Sequence, residues 1–402
     1  MEATMQEALN LVEAPPRAIA ETPDRAALRN RVRSVLAAHL TPERLRYFDE
    51  AEEYDLELFR ALGESGLIQL DGELHGSGPS HAAQSIVLEE LGAGPTSIGV
   101  SLVVQFMGLE LLHTHGSAEQ RERFLAPLRS GDARVSFGLS EPGGGTDIAR
   151  VMSTTAVRLS DGSFSINGAK KWIGGAMDCD FFILLARTAP LTDSAVDGIT
   201  TFLIPRSSPG IHTEEIDTMG IRGLAQCDVT FENVRVPPEF VLGDEGRGFR
   251  QVLGTLNGER LNGAAVALGI ARGALDTAVA WARNRQAFGR AVGSFQALQH
   301  DLVDAAVKVE SARLLLQRAA DASDAAGTAD GTLSAMAKLA ASAAATGATD
   351  TGMRVMAGWG MARALPMQRF FRDARLYTFA PLTDEMTRNY LGEKMLGLER
   401  SY

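Results

Sequence analysis

The spacing of apolar and polar residues changes character twice along the chain. From Asp24 to Arg129 apolar positions recur at the three- and four-residue intervals of amphipathic helices and predict segments near 25–40, 54–64, 80–93, 101–115 and 118–129. Ser117, followed by Glu119 and Gln120, is the N-cap expected for the last of these. Between 134 and 240 the pattern shortens to β-rich runs such as Phe181–Leu185 and Thr200–Ile204, separated by Gly, Pro and Asp. Thr154–Leu159 and Ser163–Ile166 flank Asp161-Gly162, a strong hairpin signal. From Gly246 the helical spacing returns near 246–284, 293–324 and 330–358, where the alanine-rich run Leu333–Thr351 suits close helix packing. The pattern predicts an α+β multidomain chain. Its parts are a poorly ordered tail over 1–22, a helical domain over 23–133, a β-domain over 134–242 and a helical domain over 243–402.

Composition narrows the class. A chain of 402 residues has room for two or three domains and a large core. Its 39 Lys and Arg against 50 Asp and Glu leave a net charge of −11. That balance argues against nucleic acid and anionic membranes as partners, though not against a small anion held by a few local bases. Two cysteines, Cys179 and Cys227, make neither a disulfide framework nor a metal-ligand spacing, so no metal is expected. The opening MEATMQEALNLVEAPP lacks the basic start and unbroken apolar core of a signal peptide. Gln105 and Glu110 interrupt the apolar stretch Ile98–Leu112. No membrane insertion is expected, and the location expected is the cytoplasm.

The densest chemistry lies in Phe137–Asp147, FGLSEPGGGTD. It places Ser140, Glu141, three successive glycines (Gly143, Gly144, Gly145) and Thr146 at the end of an apolar, strand-like run. Glycines there let backbone N–H groups approach a ligand closely, and a nest of such groups suits a pyrophosphate.

FGLSEPGGGTD, the hairpin leading into NGAKKWIG, RNRQAFGRAVGSFQALQHDL (283–302) and AGWGMARALPMQRFFRDARLYTF (357–379) occur in the order found in the acyl-CoA dehydrogenase family. Thr230–Gly243, TFENVRVPPEFVLG, is similar to that family's closing strand and loop. The resemblance spans nearly the whole chain. It implies an N-terminal helical domain, a central β-barrel-like or sandwich domain, a C-terminal four-helix bundle, bound FAD and a homo-oligomer, tetramer or dimer. It also implies FAD contacts at Leu139, Ser140, Gly145, Thr146, Trp172, Ile173 and Gly174. Arg285, Phe288 and Gln296 match positions that reach a neighbouring subunit's FAD, and Gly358, Thr383 and Glu385 match further FAD contacts. Three departures stand out. Gly174 replaces the Thr or Ser that hydrogen-bonds near flavin N5, and Arg354 and Ala357 replace the usual Gln and Gly.

The family's dehydrogenation needs a carboxylate to take the thioester α-proton while the β-hydrogen leaves as hydride. Most members place a Glu a few residues after Arg-Asp-Ala. Here Arg372-Asp373-Ala374 is followed by Phe379-Ala380-Pro381-Leu382-Thr383, so Pro381 stands at the base position. A minority of members use a Glu in Leu-x-x-Glu-Arg on a helix, which Leu256-Asn257-Gly258-Glu259-Arg260 matches. At 100° per residue, Val252, Leu253, Leu256, Gly263, Ala267 and Ile270 form an apolar stripe with Glu259 at one edge and Arg260 near the other. The small Gly263 and Ala267 are expected to leave room for something to lie against that helix. Glu259 is thus the expected base, with Asp384 and Glu385 as alternatives. Arg260 and Asn257 are expected on the substrate side, and His300 in packing or capping. The resemblance implies α,β-dehydrogenation of an acyl thioester on CoA or a carrier protein, with electrons passing to an electron-transfer flavoprotein. A flavin monooxygenase or a non-redox flavin-binding member is the alternative.

Overall fold

The computed structural model describes residues 21–74 and 78–400, so all but the last two residues of the expected tail lie outside the described part. Six helices come first: α1 (Pro23–His39), α2 (Pro42–Ala51), α3 (Leu56–Glu64), α4 (His81–Gly92), α5 (Thr96–His115) and α6 (Ala118–Ser130). Sequence spacing finds all but α2. That helix has no fully buried residue and therefore little apolar periodicity, although Pro42 starts it and the Thr41 hydroxyl accepts from the Arg44 N–H. At α6 the Ser117 side chain accepts from the Gln120 backbone while the Gln120 side chain accepts from the Ser117 N–H, a complete capping box.

Strands follow: β1 (Val135–Gly138), the short helix α7 (Ile148–Val151), then β2 (Thr155–Arg158), β3 (Phe164–Gly174), β4 (Phe181–Arg187), β5 (Ile199–Pro205), β6 (Ile211–Ile216), β7 (Gln226–Val236) and β8 (Val241–Leu242). They make one eight-stranded sheet in the order β6-β7-β3-β2-β4-β5-β8, with β1 running parallel to β4 beside it. The Asp161-Gly162 hairpin forms as expected, pairing Arg158 with Phe164 and Thr155 with Asn167. Phe164, Phe182, Phe202 and Phe231 fill one face of the sheet. Ile183, Leu185 and Leu203 pack on the other against α5 and α6, burying the long apolar runs on both sides. Gln105, the polar interruption in α5, is buried and used. Its amide donates to Leu128 and Ala133 carbonyls and accepts from the Val135 N–H, tying α5 to β1.

The remaining helices are α8 (Gly248–Asn284), α9 (Gln296–Ala326), α10 (Gly331–Met356), α11 (Met367–Ala374) and α12 (Asp384–Leu396), with a two-strand hairpin β9 (Gln286–Ala287) and β10 (Arg290–Ala291) between α8 and α9. The central helix α8 packs on α4 with backbones in contact. A Cβ added at Gly92 would lie 2.2 Å from the Val266 carbonyl, and one at Gly269 2.2 Å from the Glu89 carbonyl, so both positions require glycine. A buried ionic cluster joins the two helical regions. Arg29 pairs with Glu89 at 2.9 Å, Arg272 with Glu90 at 3.0 Å and Arg313 with Glu89 at 3.3 Å. Burial of such charges costs desolvation, which close multiple pairing offsets.

Candidate active site

The glycine loop is an excursion with a clamped neck. Glu141 and Gly144 exchange backbone hydrogen bonds of 3.0 and 3.1 Å, turning the chain tightly. The Glu141 carboxylate accepts from the Ser153 and Thr154 N–H groups at 2.6 and 3.0 Å, closing the loop where it returns. Lys170, fully buried on β3, donates to Glu141 at 2.8 Å and to the Leu139 carbonyl at 3.1 Å. Burial works to raise the Glu141 carboxyl, but the Lys170 ammonium and the converging hydrogen bonds hold it down at about 2. Burial pulls the Lys170 ammonium down to about 8 against the attraction of Glu141. Neither residue stands out in the sequence as more than part of a motif. A buried Lys-Glu pair becomes visible only when β3 is placed beneath β1.

Above this clamp the loop is open. A Cβ at Gly143 would touch nothing within 4 Å, and one at Gly145 would approach only the Ser140 hydroxyl at 3.9 Å. Thr146 is exposed. Beside the loop, β3 carries a bulge against β7. Pairing runs Lys170 with Val229 and then Ile173 with Cys227, leaving two residues of β3 opposite one of β7. Trp172 sits in that bulge at φ +62, a left-handed conformation that costs a bulky residue about 1–2 kcal/mol. The bulge turns its indole out of the sheet, 56% exposed, next to the Lys171 ammonium. The bulge thus holds a large apolar face in the open beside the glycine loop, where the Lys171 N–H donates to the Ser140 carbonyl at 2.9 Å. Ile173 behaves differently: its side chain is buried in the sheet core, leaving only its backbone to face a ligand. At Gly174 the side-chain space is already taken, since a Cβ there would stand 3.1 Å from the amide nitrogen of Gln226, its cross-strand partner.

A second strained aromatic lies elsewhere. Phe288 has φ +50 and forms, with Gly289 at φ +77, the tip between β9 and β10. Its ring is 95% exposed. Arg285 and Gln296, also exposed, flank it at the end of α8 and the start of α9. Ala357 has a backbone conformation that favours glycine, at φ +50, and Arg354 pairs with Asp301 at 3.2 Å. Gly358 is exposed with open space around it. An open glycine nest, a hydroxyl at Ser140 and an outward-held indole fit a flavin dinucleotide.

Proton chemistry points to α8. Glu259 is half-buried, and no hydrogen bond or ion pair to its carboxylate exists among the described residues. Burial pushes it up to about 7, with Arg260 acting the other way. Arg260 itself turns aside: its guanidinium donates to Asn257 at 2.7 Å and lies 5.8 Å from the Tyr390 ring on α12. Leu253 departs from the expected stripe, being 42% exposed, while Val252, Ala267 and Ile270 are buried. What lies against α8 at Gly263 is protein. A Cβ there would stand 3.1 Å from Pro381 and 3.8 Å from the Tyr377 ring. The alternative acids serve other ends. Asp384 pairs with Lys338 at 2.6 Å and accepts from Ser342 at 3.1 Å, and Glu385 is exposed, 3.7 Å from Arg388. The Thr383 hydroxyl caps α12 by accepting from the Met386 N–H. His300 is exposed on α9. Glu110, which sequence inspection treats only as an interruption, is also pushed up to about 7 by burial. It faces Gly258 and His81, on a different side of α8 from Pro381.

Comparison with known proteins agrees with this geometry. Models of the acyl-CoA dehydrogenase N-terminal, middle and C-terminal domains match residues 22–132, 136–234 and 246–396. The mitochondrial short-chain specific acyl-CoA dehydrogenase of Bos taurus is 37% identical over 88% of this chain and 85% of its own length. The caffeyl-CoA reductase-Etf complex subunit CarC of Acetobacterium woodii is 32% identical over 92% of this chain and 97% of its own. The prolyl acyl carrier protein oxidase AnaB superposes with a TM-score of 0.86 at 25% identity, covering 94% of this chain and all of that one. The chain belongs to the acyl-CoA dehydrogenase family, FAD-binding oxidoreductases acting on the CH–CH bond of acyl thioesters.

Proposed function

We propose that this enzyme dehydrogenates a short acyl thioester between Cα and Cβ, with Glu259 as the proton acceptor. The observation carrying this reading is the contact of Pro381 with Gly263, one helical turn from Glu259 on α8. The loop position where most relatives keep their base and the helical carboxylate therefore border the same volume, and a carboxylate at 259 supplies there what Pro381 lacks. With no hydrogen-bond or ion-pair partner among the described residues and its carboxyl at about 7, Glu259 is a base matched to neutral pH. FAD, when bound, supplies the hydride acceptor. Ser140, the Gly143–Thr146 backbone and Trp172 orient it, and Lys170 with Glu141 fixes the loop that presents them. Asn257 and Arg260, hydrogen-bonded to each other with Arg260 beside the Tyr390 ring, lie round α8 from Glu259 and are the side chains assigned here to the thioester's carrier arm.

The similarity to the short-chain enzyme supports an acyl group on CoA, and that to the carrier protein oxidase supports a carrier-protein thioester as the second form. Electron transfer to an electron-transfer flavoprotein fits the Etf-complex relative. A homo-oligomer, tetramer or dimer, fits the exposed Phe288 and the apolar stripe Val303, Val307 and Leu314 along α9. Cytoplasmic location completes the reading. Anaerobic incubation of the purified flavoprotein with acyl-CoA and acyl-carrier-protein thioesters tests it. Loss of the oxidised flavin absorbance with a short acyl chain is expected, and no bleaching by any thioester overturns it.

A further inference from the structure

A cleft of about 500 Å³ separates the two helical regions of the chain. The end of α1 and the start of α2 line one part of it, and α8 with the segment entering α11 lines another. Its volume falls within the roughly 300–1,000 Å³ of small-molecule sites. From Glu259 to Arg272 in the lining, α8 climbs roughly 20 Å, so the cleft lies apart from the proton side. Leu40, Leu45, Leu365 and Phe370 give it an apolar lining. Most of its charged groups are matched. Arg272 pairs with Glu90 at 3.0 Å, Asp49 accepts from Arg372 at 2.6 and 2.9 Å, and Arg363 stands 3.8 Å from Glu50. Arg369 differs. Its Nε is buried without a hydrogen bond, and its guanidinium makes no hydrogen bond or ion pair among the described residues. Burial works against its charge, opposed by the pull of Asp373 and Asp49. Asp373 spends an oxygen on the Ile221 N–H at 2.7 Å. A cation withdrawn from water without a hydrogen-bonded partner is costly, and an incoming anion supplies one.

We propose that this cleft is a second, non-catalytic ligand site, which takes a small molecule with an apolar body and a single carboxylate received by Arg369. The planar guanidinium fork matches the two oxygens of a carboxylate. Asp49, Glu90 and Asp276 also line the cleft, so a doubly charged phosphate meets a repulsion that a single carboxylate meets only in part. The apolar lining receives the rest of the molecule. The site holds whichever residue is the base at the flavin.

Octanoate is the probe, titrated calorimetrically into the FAD-loaded full chain. Saturable binding is expected, with octanol, which keeps the apolar chain and lacks the charge, weaker by at least about tenfold. Arg369→Met should weaken octanoate roughly 10- to 100-fold, the range of a hydrogen bond to a charged group, and Arg369→Lys, which keeps the charge without the fork, should weaken it less. Ala364→Phe, which fills the cleft from its lining, should abolish the binding. Because Arg369 has no partner to lose, ligand-free Arg369→Met should melt no lower than wild type, and octanoate should raise the melting temperature of wild type only. No saturable binding at millimolar octanoate overturns the site, as does octanol binding equally well. Binding that survives both Arg369→Met and Ala364→Phe places octanoate elsewhere and also overturns it. A ligand-free Arg369→Met that melts well below wild type assigns Arg369 to packing, with the same consequence.

Discussion

The two sides of this site are built in opposite ways. The flavin side is local: the loop from Leu139 to Thr146 and the bulge at Trp172 are contiguous segments, held by Lys170 reaching across adjacent strands. The proton side is assembled from distant pieces, Glu259 on α8 and the Pro381 loop more than a hundred residues later, meeting at Gly263. The first is rich in hydrogen bonds and rigid; the second is defined by a carboxylate left with none. A cradle must fix its ligand's geometry, and every satisfied polar group there adds to that. A base must stay unsatisfied until substrate arrives, because a hydrogen bond to its ionised form would lower its basicity.

The sharpest way to break this contrast is to remove the acceptor. Glu259→Gln keeps shape while deleting the proton acceptor, and single-turnover flavin reduction should slow by about two to four orders of magnitude. FAD content and thioester affinity should stay near wild type. A wild-type reduction rate would place the base elsewhere. Glu110, the other carboxyl near 7, is the control, and Glu110→Gln should leave the rate within a few-fold.

The flavin side should fail through stability, not rate. Lys170→Met leaves Glu141 buried without its cation, and breaking such a pair costs about 3–5 kcal/mol. Thermal unfolding should shift down by many degrees and flavin should dissociate on gel filtration. A variant that melts like wild type and stays yellow would mean the clamp is not what holds the loop.

How far the sequence carries follows the same division. The hairpin at Asp161-Gly162 and the Ser117 cap are local, and both were readable residue by residue. Helix α2 was not, because it buries no residue fully and so imprints no period. Glu259 was readable as a register match, and its isolation was not, since that depends on Arg260 turning toward Asn257 and Tyr390. Gly263 was readable as a place where something lies against α8, but small residues on a helix show that something approaches, not what it is. Here protein approaches. Ile173 was expected to line the ligand with its neighbours, but the bulge at Trp172 leaves its side chain inside the sheet.

A smaller effect separates the sides by pH. Glu259 must be ionised to accept a proton, and its carboxyl sits near 7 because burial disfavours the charge. Below about 7, kcat/KM should fall close to tenfold per pH unit, and above it the profile should level. FAD affinity should stay flat over pH 5.5–7, because burial is outweighed at Glu141, whose carboxyl is held at about 2, and Lys170 gives up its proton only at about 8. A rate independent of pH across that interval would remove Glu259 from the proton step.

The smallest expected effect tests how the flavin side is completed at Gly174. Its side-chain space is occupied by the Gln226 amide, 3.1 Å from where a Cβ would be. Gly174→Thr alone must displace that amide, so FAD affinity should weaken by a few-fold, read by fluorescence titration of the apoprotein. Gln226→Ala opens the space, and the double variant should recover the affinity and carry a shifted flavin absorbance, because a hydroxyl then replaces an amide in that space. Two independent losses that simply add would show that Gln226 only fills a gap between β3 and β7. Recovery in the double variant would mean that one polar group is needed in this space and that this chain draws it from the opposite strand.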